Sequence, residues 1–311
     1  MNVIAKAYNL IKRHIYNTPV LYSPELSKIF NNNVFLKLDS LQHTGAFKIR
    51  GVLNFLLSKK QTGNLPSKVV AYSTGNHAIA VAYAAKILNI SARVYLPLYI
   101  SQTKKNIVKN LSNVEIIETT NRSEAEFYTQ KDAKQEFVAI PPSDNDEVIA
   151  GAGTMCYEAL LKLQSKHIST QAIFAPCGGG GLLAGSYLAK EYISLESKIY
   201  GVEPSEADDA YKSVQNKSIF RFSQTPMTIA DGLRALNVSQ RTLNYLTKLD
   251  NIYLVEEEEI RYWNNYLNNI IPAPSELSAT ISLAAAKRWS ENNESGQNML
   301  ILISGGNQDK L

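Results

Sequence analysis

Pro176-Cys177-Gly178-Gly179-Gly180-Gly181-Leu182 sets four consecutive glycines between an apolar run, 171–175, and an amphipathic pattern, 182–192. A strand, a glycine turn and a helix in that order make the βα unit of an α/β protein. Four residues without Cβ cost backbone entropy that a mere turn does not require. They also let several main-chain amides approach a phosphate at a helix start. The run lacks the Lys-Ser/Thr ending of a nucleotide loop and is not GxGxxG with an acidic residue at the usual distance, so it points to a smaller phosphorylated cofactor.

The same rhythm extends outward. Short apolar runs at 34–38, 68–72, 92–98, 114–118, 137–140, 171–175, 198–202 and 299–304, several of them β-branched with few charges, read as buried parallel strands. Patterns with three-and-four spacing at 76–88, 123–135, 151–164, 182–192, 257–270 and 278–292 read as the helices between them. No repeat or Pro/Gly/Ser-rich linker divides the chain. Four strands and two helices within 68–141 suggest a small βα domain inserted into a large one built from 1–67 and 142–311.

Composition narrows the function classes. The 311 residues are 45% hydrophobic and 19% charged, with a net charge of +4 that no window concentrates, so nucleic acid is not an implied partner. Cys156 and Cys177 belong to no zinc-like or CxxC spacing, which suits a reducing cytoplasm. The N-terminus lacks the apolar core of a secretory signal, and no run approaches the roughly 18 apolar residues of a membrane helix.

Four further motifs carry chemistry. Ser40-Leu41-Gln42-His43-Thr44-Gly45-Ala46-Phe47-Lys48-Ile49-Arg50-Gly51 sets one lysine among small, aromatic and glycine residues. Desolvation there favours the neutral, nucleophilic amine, although a surface lysine at a helix start fits the same residues. Ser73-Thr74-Gly75-Asn76-His77, between strand and helix, suits a substrate carboxylate or serves as an ordinary N-cap. Ser304-Gly305-Gly306-Asn307 places a hydroxyl at the carboxyl end of a strand, where open α/β sheets bind ligands, or forms a terminal turn. Glu203-Pro204-Ser205-Glu206-Ala207-Asp208-Asp209 suits a hard divalent cation or is a solvated acidic loop.

Taken together and in this order, from Thr18-Pro19-Val20 to Asn307, the motifs resemble the fold-type II pyridoxal-phosphate enzymes, most closely the serine/threonine dehydratase and serine racemase branch. The resemblance implies that Lys48 bonds pyridoxal phosphate covalently, with Phe47 by its ring. It implies that Asn76 meets the ring hydroxyl, that Ser73, Gly75 and His77 frame the substrate carboxylate, and that Gly178, Gly179, Gly180 and Gly181 cradle the phosphate. Ser304 then meets the pyridine nitrogen, and Glu203, Asp209 and the Ala207 carbonyl bind Mg²⁺, Mn²⁺ or Ca²⁺. The implied activity is conversion of L-threonine or L-serine to a 2-keto acid and ammonia, in a homodimer acting on a small amino acid. Racemisation and β-replacement are the alternatives on the same scaffold.

Three positions depart from the family pattern. Thr74 stands where racemases of this branch have a second serine, so elimination is expected to exceed racemisation, with Thr74 the candidate proton donor. Ala273-Pro274-Ser275-Glu276-Leu277 replaces Glu-Pro-x-x-Gly and so loses a carboxylate, and Ser143 stands where an Asn is common.

Overall fold

The computed structural model describes residues 2–73, 75–98 and 100–308. Among them, ten strands form two sheets. They are β1 (Val20–Tyr22), β2 (Asn33–Leu38), β3 (Lys68–Tyr72), β4 (Ser91–Pro97), β5 (Val114–Thr119), β6 (Val138–Ala139), β7 (Ala172–Pro176), β8 (Lys198–Pro204), β9 (Asn251–Val255) and β10 (Asn298–Ile303). The larger sheet has the order β1-β2-β10-β7-β8-β9 and the smaller β5-β4-β3-β6. Only the β1–β2 pairing is antiparallel.

The apolar runs are strands because both of their faces are buried. In β10, Met299, Ile301 and Ile303 join one core cluster while Leu300 and Leu302 join another on the opposite face. In β3, Val69 and Ala71 point into one cluster and Val70 into a second. Alternation at period two thus feeds two apolar layers from a run that shows no alternation in sequence.

Strand and helix readings agree with the structure apart from definable elements. The three-residue β1 is too short to carry a pattern, and β9 abuts the acidic start of the helix Glu257–Ile270. The helix read from 151 starts at Asp146, because the Asn145 side chain accepts from Val148 N and two acidic residues occupy the first turn. The pattern at 278–292 divides into Leu277–Thr280 and Ser282–Glu291, with Ile281 between them still right-handed. The helices Val3–Ile11, Pro24–Phe30, Lys48–Gln61, Gln102–Lys109, Asp209–Asn216 and Gln240–Leu246 are not among those that periodicity reveals. No helix among the described residues is long and apolar enough to cross a membrane.

A buried ionic cluster joins the large sheet to its helices. Arg50, on the helix Lys48–Gln61, donates Nε to Asp39 Oδ2 at 2.5 Å and Nη2 to Asp39 Oδ1 at 2.9 Å and Glu158 Oε2 at 2.8 Å. Lys37 Nζ completes it with Glu158 Oε2 at 2.7 Å and the Thr18 carbonyl at 2.7 Å. Burial by itself would raise the Asp39 carboxyl, but the Arg50 guanidinium holds it below its usual range. Removing one member strands buried charge, a loss of about 3–5 kcal/mol. Arg50→Leu should lower unfolding free energy by about that amount in urea titration, and a change under about 1 kcal/mol would refute the structural weight assigned to the cluster.

Candidate active site

A cavity of about 400 Å³ takes its lining from residues just past the carboxyl ends of β3, β7 and β10. Phe47, Lys48, Ser73, Gly75, Asn76, His77, Gly178, Gly179, Gly180, Gly181 and Ser304 all face it. Segments distant in sequence therefore meet where open α/β sheets bind ligands.

Lys48 begins its helix, and that start is pinned to the end of β10. Phe47 N donates to the Ser304 carbonyl at 2.9 Å, Ala46 bridges Gly305, and Gly306 N donates to the Gly45 carbonyl at 2.9 Å. Lys48 Nζ donates to the Pro142 carbonyl at 3.0 Å and lies 5.0 Å from the centre of the Phe47 ring. Burial, helped by the positive charge of Arg122, pushes the amine down to about 8. An appreciable neutral fraction at physiological pH follows.

Gly75 caps the helix Asn76–Leu88, whose first two residues are Asn76 and His77. Gly75 N donates to Ser73 Oγ at 2.9 Å. Gly75 has φ +155°, and a Cβ there would meet Lys104 Cδ at 2.4 Å, so the lysine stem lies directly on the loop. His77 Nε2 donates to the Ile140 carbonyl at 2.8 Å. Burial, with the charge of Lys48, lowers its pKa to about 3, which makes it a neutral ring with an unpartnered Nδ1. Thr74 lies outside the described residues.

Ala273 does lack a carboxylate, but the cavity does not. Glu276, three residues on, accepts from Asn76 Nδ2 at 2.6 Å through Oε1 and lies 3.3 Å from Lys104 Nζ through Oε2. Lys104 also pairs with Asp231 at 2.7 Å, and Asn76 Oδ1 accepts from Asn307 at 3.0 Å. Neither Lys104 nor Asp231 belongs to a motif read from the sequence. Their partners lie 127 and 172 residues from Lys104, and only folding brings them together.

The glycine run turns from β7 into the helix Gly181–Ile193. Gly180 has φ +80°, and a Cβ on Gly179 would meet Ser143 Oγ at 2.4 Å, so the turn is packed against its neighbours with its main chain on the cavity wall. Ser143, the residue of the third departure, backs this turn.

Glu203, Ala207 and Asp209 do not line the cavity. They are fully buried, with Glu203 accepting from Ala210 N at 3.1 Å and Tyr211 N at 2.8 Å. Both Asp209 carboxylate oxygens are buried without a hydrogen-bond partner. Burial raises the Asp209 carboxyl to about 8, and burial with the nearby Asp209 charge raises Glu203 well above its usual range.

The chain is similar to known proteins along nearly its whole length. The serine racemase of Schizosaccharomyces pombe is 34% identical over 308 residues, covering 98% of this chain and 93% of that protein. The L-threo-3-hydroxyaspartate ammonia-lyase of Saccharomyces cerevisiae is 34% identical over 315 residues, covering 98% and 92%. The crystal structure of a T.th. threonine deaminase superposes with a TM-score of 0.92 at 32% identity, covering 99% of this chain and 98% of that one. Residues 11–305 match the family described as pyridoxal-phosphate dependent enzyme. With its two mostly parallel sheets and a lysine, a glycine turn and a serine meeting at strand ends, the chain belongs to the fold-type II pyridoxal-phosphate enzymes, in the serine racemase and threonine/serine dehydratase branch.

Proposed function

We propose that the protein labilises the α-proton of a small 3-hydroxy amino acid, with racemisation as the principal outcome and β-elimination to a 2-keto acid and ammonia accompanying it. The observation that carries this reading is the Lys48 amine, depressed to about 8 in the same cavity as the 73–77 helix entrance. A base poised near the working pH and an anion-binding helix start are what α-proton removal from an amino acid requires.

The residues fit pyridoxal phosphate. The glycine turn offers main-chain amides to its phosphate at the start of a 13-residue helix. Asn76 Nδ2 uses one hydrogen on Glu276 and keeps another for the ring hydroxyl. Ser304 offers the ring nitrogen a neutral hydroxyl, which does not hold the pyridine protonated and so disfavours transamination. When bound, pyridoxal phosphate supplies the conjugated system that accepts negative charge from the substrate α-carbon. Lys48 takes the α-proton, and the 73–77 loop holds the carboxylate. Racemisation needs a proton donor on the other face, and Thr74 is the proposed one.

The order of the two outcomes reverses the expectation drawn from the Thr74 methyl. Relatives from S. pombe, Mus musculus and Arabidopsis thaliana are all named serine racemase, which supports racemisation first. The ammonia-lyase of yeast supports elimination beside it.

Glu203, Asp209 and the Ala207 carbonyl are proposed to hold Mg²⁺ or a similar hard cation. No group of three His, Cys, Asp or Glu side chains among the described residues is placed to hold a metal, so the site rests on two carboxylates and a carbonyl. Two buried carboxylates, one with both oxygens unpartnered, are the donor set that such a cation neutralises. In this reading the enzyme is a cytoplasmic homodimer in which 68–141 forms the small substrate-side domain.

Cofactor-free protein should take up pyridoxal phosphate at a rate that rises with pH and levels off above about 8, because only the neutral Lys48 amine attacks the aldehyde. Stopped-flow absorbance reads this, and a pH-independent rate would contradict it. Thr74→Ala should abolish D-serine formation while pyruvate formation from L-serine persists, and Thr74→Ser should raise D-serine output; chiral chromatography with a keto-acid assay measures both. Chelation should lower the melting temperature and Mg²⁺ should restore it, whereas identical melting curves would remove the cation site.

A further inference from the structure

We propose that Lys104 is a positioning residue for substrate binding: by bridging Asp231 and Glu276 it holds Gly75 and the start of the helix Asn76–Leu88 in place, and so sets the affinity for the substrate α-carboxylate while leaving cofactor retention to other groups. The inference rests on the proposed function, in which this helix start receives that carboxylate.

Lys104 stands on the helix Gln102–Lys109, which belongs with the smaller sheet. Val108, one turn on, packs in the core cluster that also holds Val69 and Val94. Its two acidic partners belong with the larger sheet. Asp231 opens a short turn whose Leu233 joins the core of that sheet, and Glu276 precedes the helix Leu277–Thr280, whose Ala279 joins the same core. Both are anchored on their own side. Glu276 N donates to the Gly305 carbonyl at 3.0 Å, and Ser278 Oγ accepts from Gly232 N at 2.9 Å and donates to Asp231 Oδ1 at 3.4 Å. Lys104 Nζ, at 2.7 Å from Asp231 Oδ2 and 3.3 Å from Glu276 Oε2, therefore ties one sheet to the other.

On its way to that bridge the lysine stem crosses Gly75. A Cβ on Gly75 would lie 2.4 Å from Cδ, 3.2 Å from Cε and 3.4 Å from Nζ, so successive stem atoms lie against the main chain. Lys104 is 1% exposed, and a side chain held by its helix at one end and by two carboxylates at the other fixes what it packs on. Asn76, next in sequence, reaches the same Glu276 through Nδ2 at 2.6 Å.

One ammonium facing two carboxylates is already balanced, which makes Lys104 a tether and not a countercharge for the substrate. Without it, Asp231 and Glu276 would meet as like charges in a buried site, and their repulsion would displace Glu276 together with Asn76. The cofactor depends on this tie far less. The glycines 178–181 and Ser304 follow β7 and β10 of the larger sheet, and the start of the Lys48 helix is pinned to β10, so only Asn76 among the proposed cofactor contacts lies beyond the bridge.

The test uses the holoenzyme. L-alanine and L-alaninamide, which differ in the carboxylate alone, are titrated against the absorbance of the bound cofactor, and the dissociation constant of the cofactor is measured for each variant. Wild-type enzyme should bind alanine more tightly than alaninamide. Lys104→Met, which keeps an unbranched stem, should weaken alanine binding roughly 10- to 100-fold while alaninamide and cofactor affinities stay within about threefold. With L-serine the change should fall on KM and not on kcat, and Lys104→Arg, which retains the cation, should recover much of it. An unchanged alanine advantage in Lys104→Met, equal weakening of both ligands, or loss of the cofactor would overturn the proposal. Should Lys104→Met not fold, Asp231→Asn, which weakens the bridge from its other side, decides by the same ratio. If the wild-type enzyme shows no preference for alanine over alaninamide, the carboxylate reading of the helix start fails and takes the tether's role with it. A wild-type preference that survives in Lys104→Met refutes the tether alone.

Discussion

Arg50 is the residue on which the placement of the Lys48 amine depends. Its guanidinium is shared between Asp39, at the end of β2, and Glu158, on the helix Asp146–Gln164, and it stands two residues after Lys48. Fully buried charges tolerate little displacement, because any lengthening in a low-dielectric interior leaves desolvated charge uncompensated. The first turn of the Lys48 helix is therefore held on one side by this cluster and on the other by the Phe47 bond to the Ser304 carbonyl. A flexible side chain thus leaves a fixed origin, and its amine ends at the Pro142 carbonyl.

Two lysines share one cavity and are driven in opposite directions. Around Lys48 there are burial and the positive Arg122, so its amine is depressed. Lys104 is also buried, but Glu276 and Asp231 outweigh the desolvation and raise it. The first lysine is thereby suited to the base and nucleophile proposed for it, and the second remains an ammonium that lies between Gly75 and Glu276. Separating the pKa values of like groups by environment assigns them different tasks.

The carboxylate at 276 shows how position in sequence and position in space come apart. The motif comparison places the loss at Ala273, which the structure buries among apolar residues of the large core. The loop and the short helix at Leu277–Thr280 carry the Glu276 side chain to Asn76 instead. A spacing pattern records which residue stands at a given offset, whereas a site requires only that an oxygen arrive at a given point.

Much of the fold was legible because burial on both faces leaves apolar runs, and the glycine turn, the lysine motif and the Ser73–His77 segment each combine unusual residues over a few positions. These local signals determined the α/β class and the candidate residues 47–48, 73–77, 178–181 and 304. Short β1, the shifted start at Asp146 and the break at Ile281 escaped, since they depend on edge pairing, a single cap and neighbouring packing. Sequence alone determined which groups could do chemistry. Only the tertiary structure decided their ionisation and company, placing Lys104 beside Asp231 and Glu276, and Arg122 against the Arg234 carbonyl 112 residues away, because desolvation and Coulomb forces act through space and not along the chain.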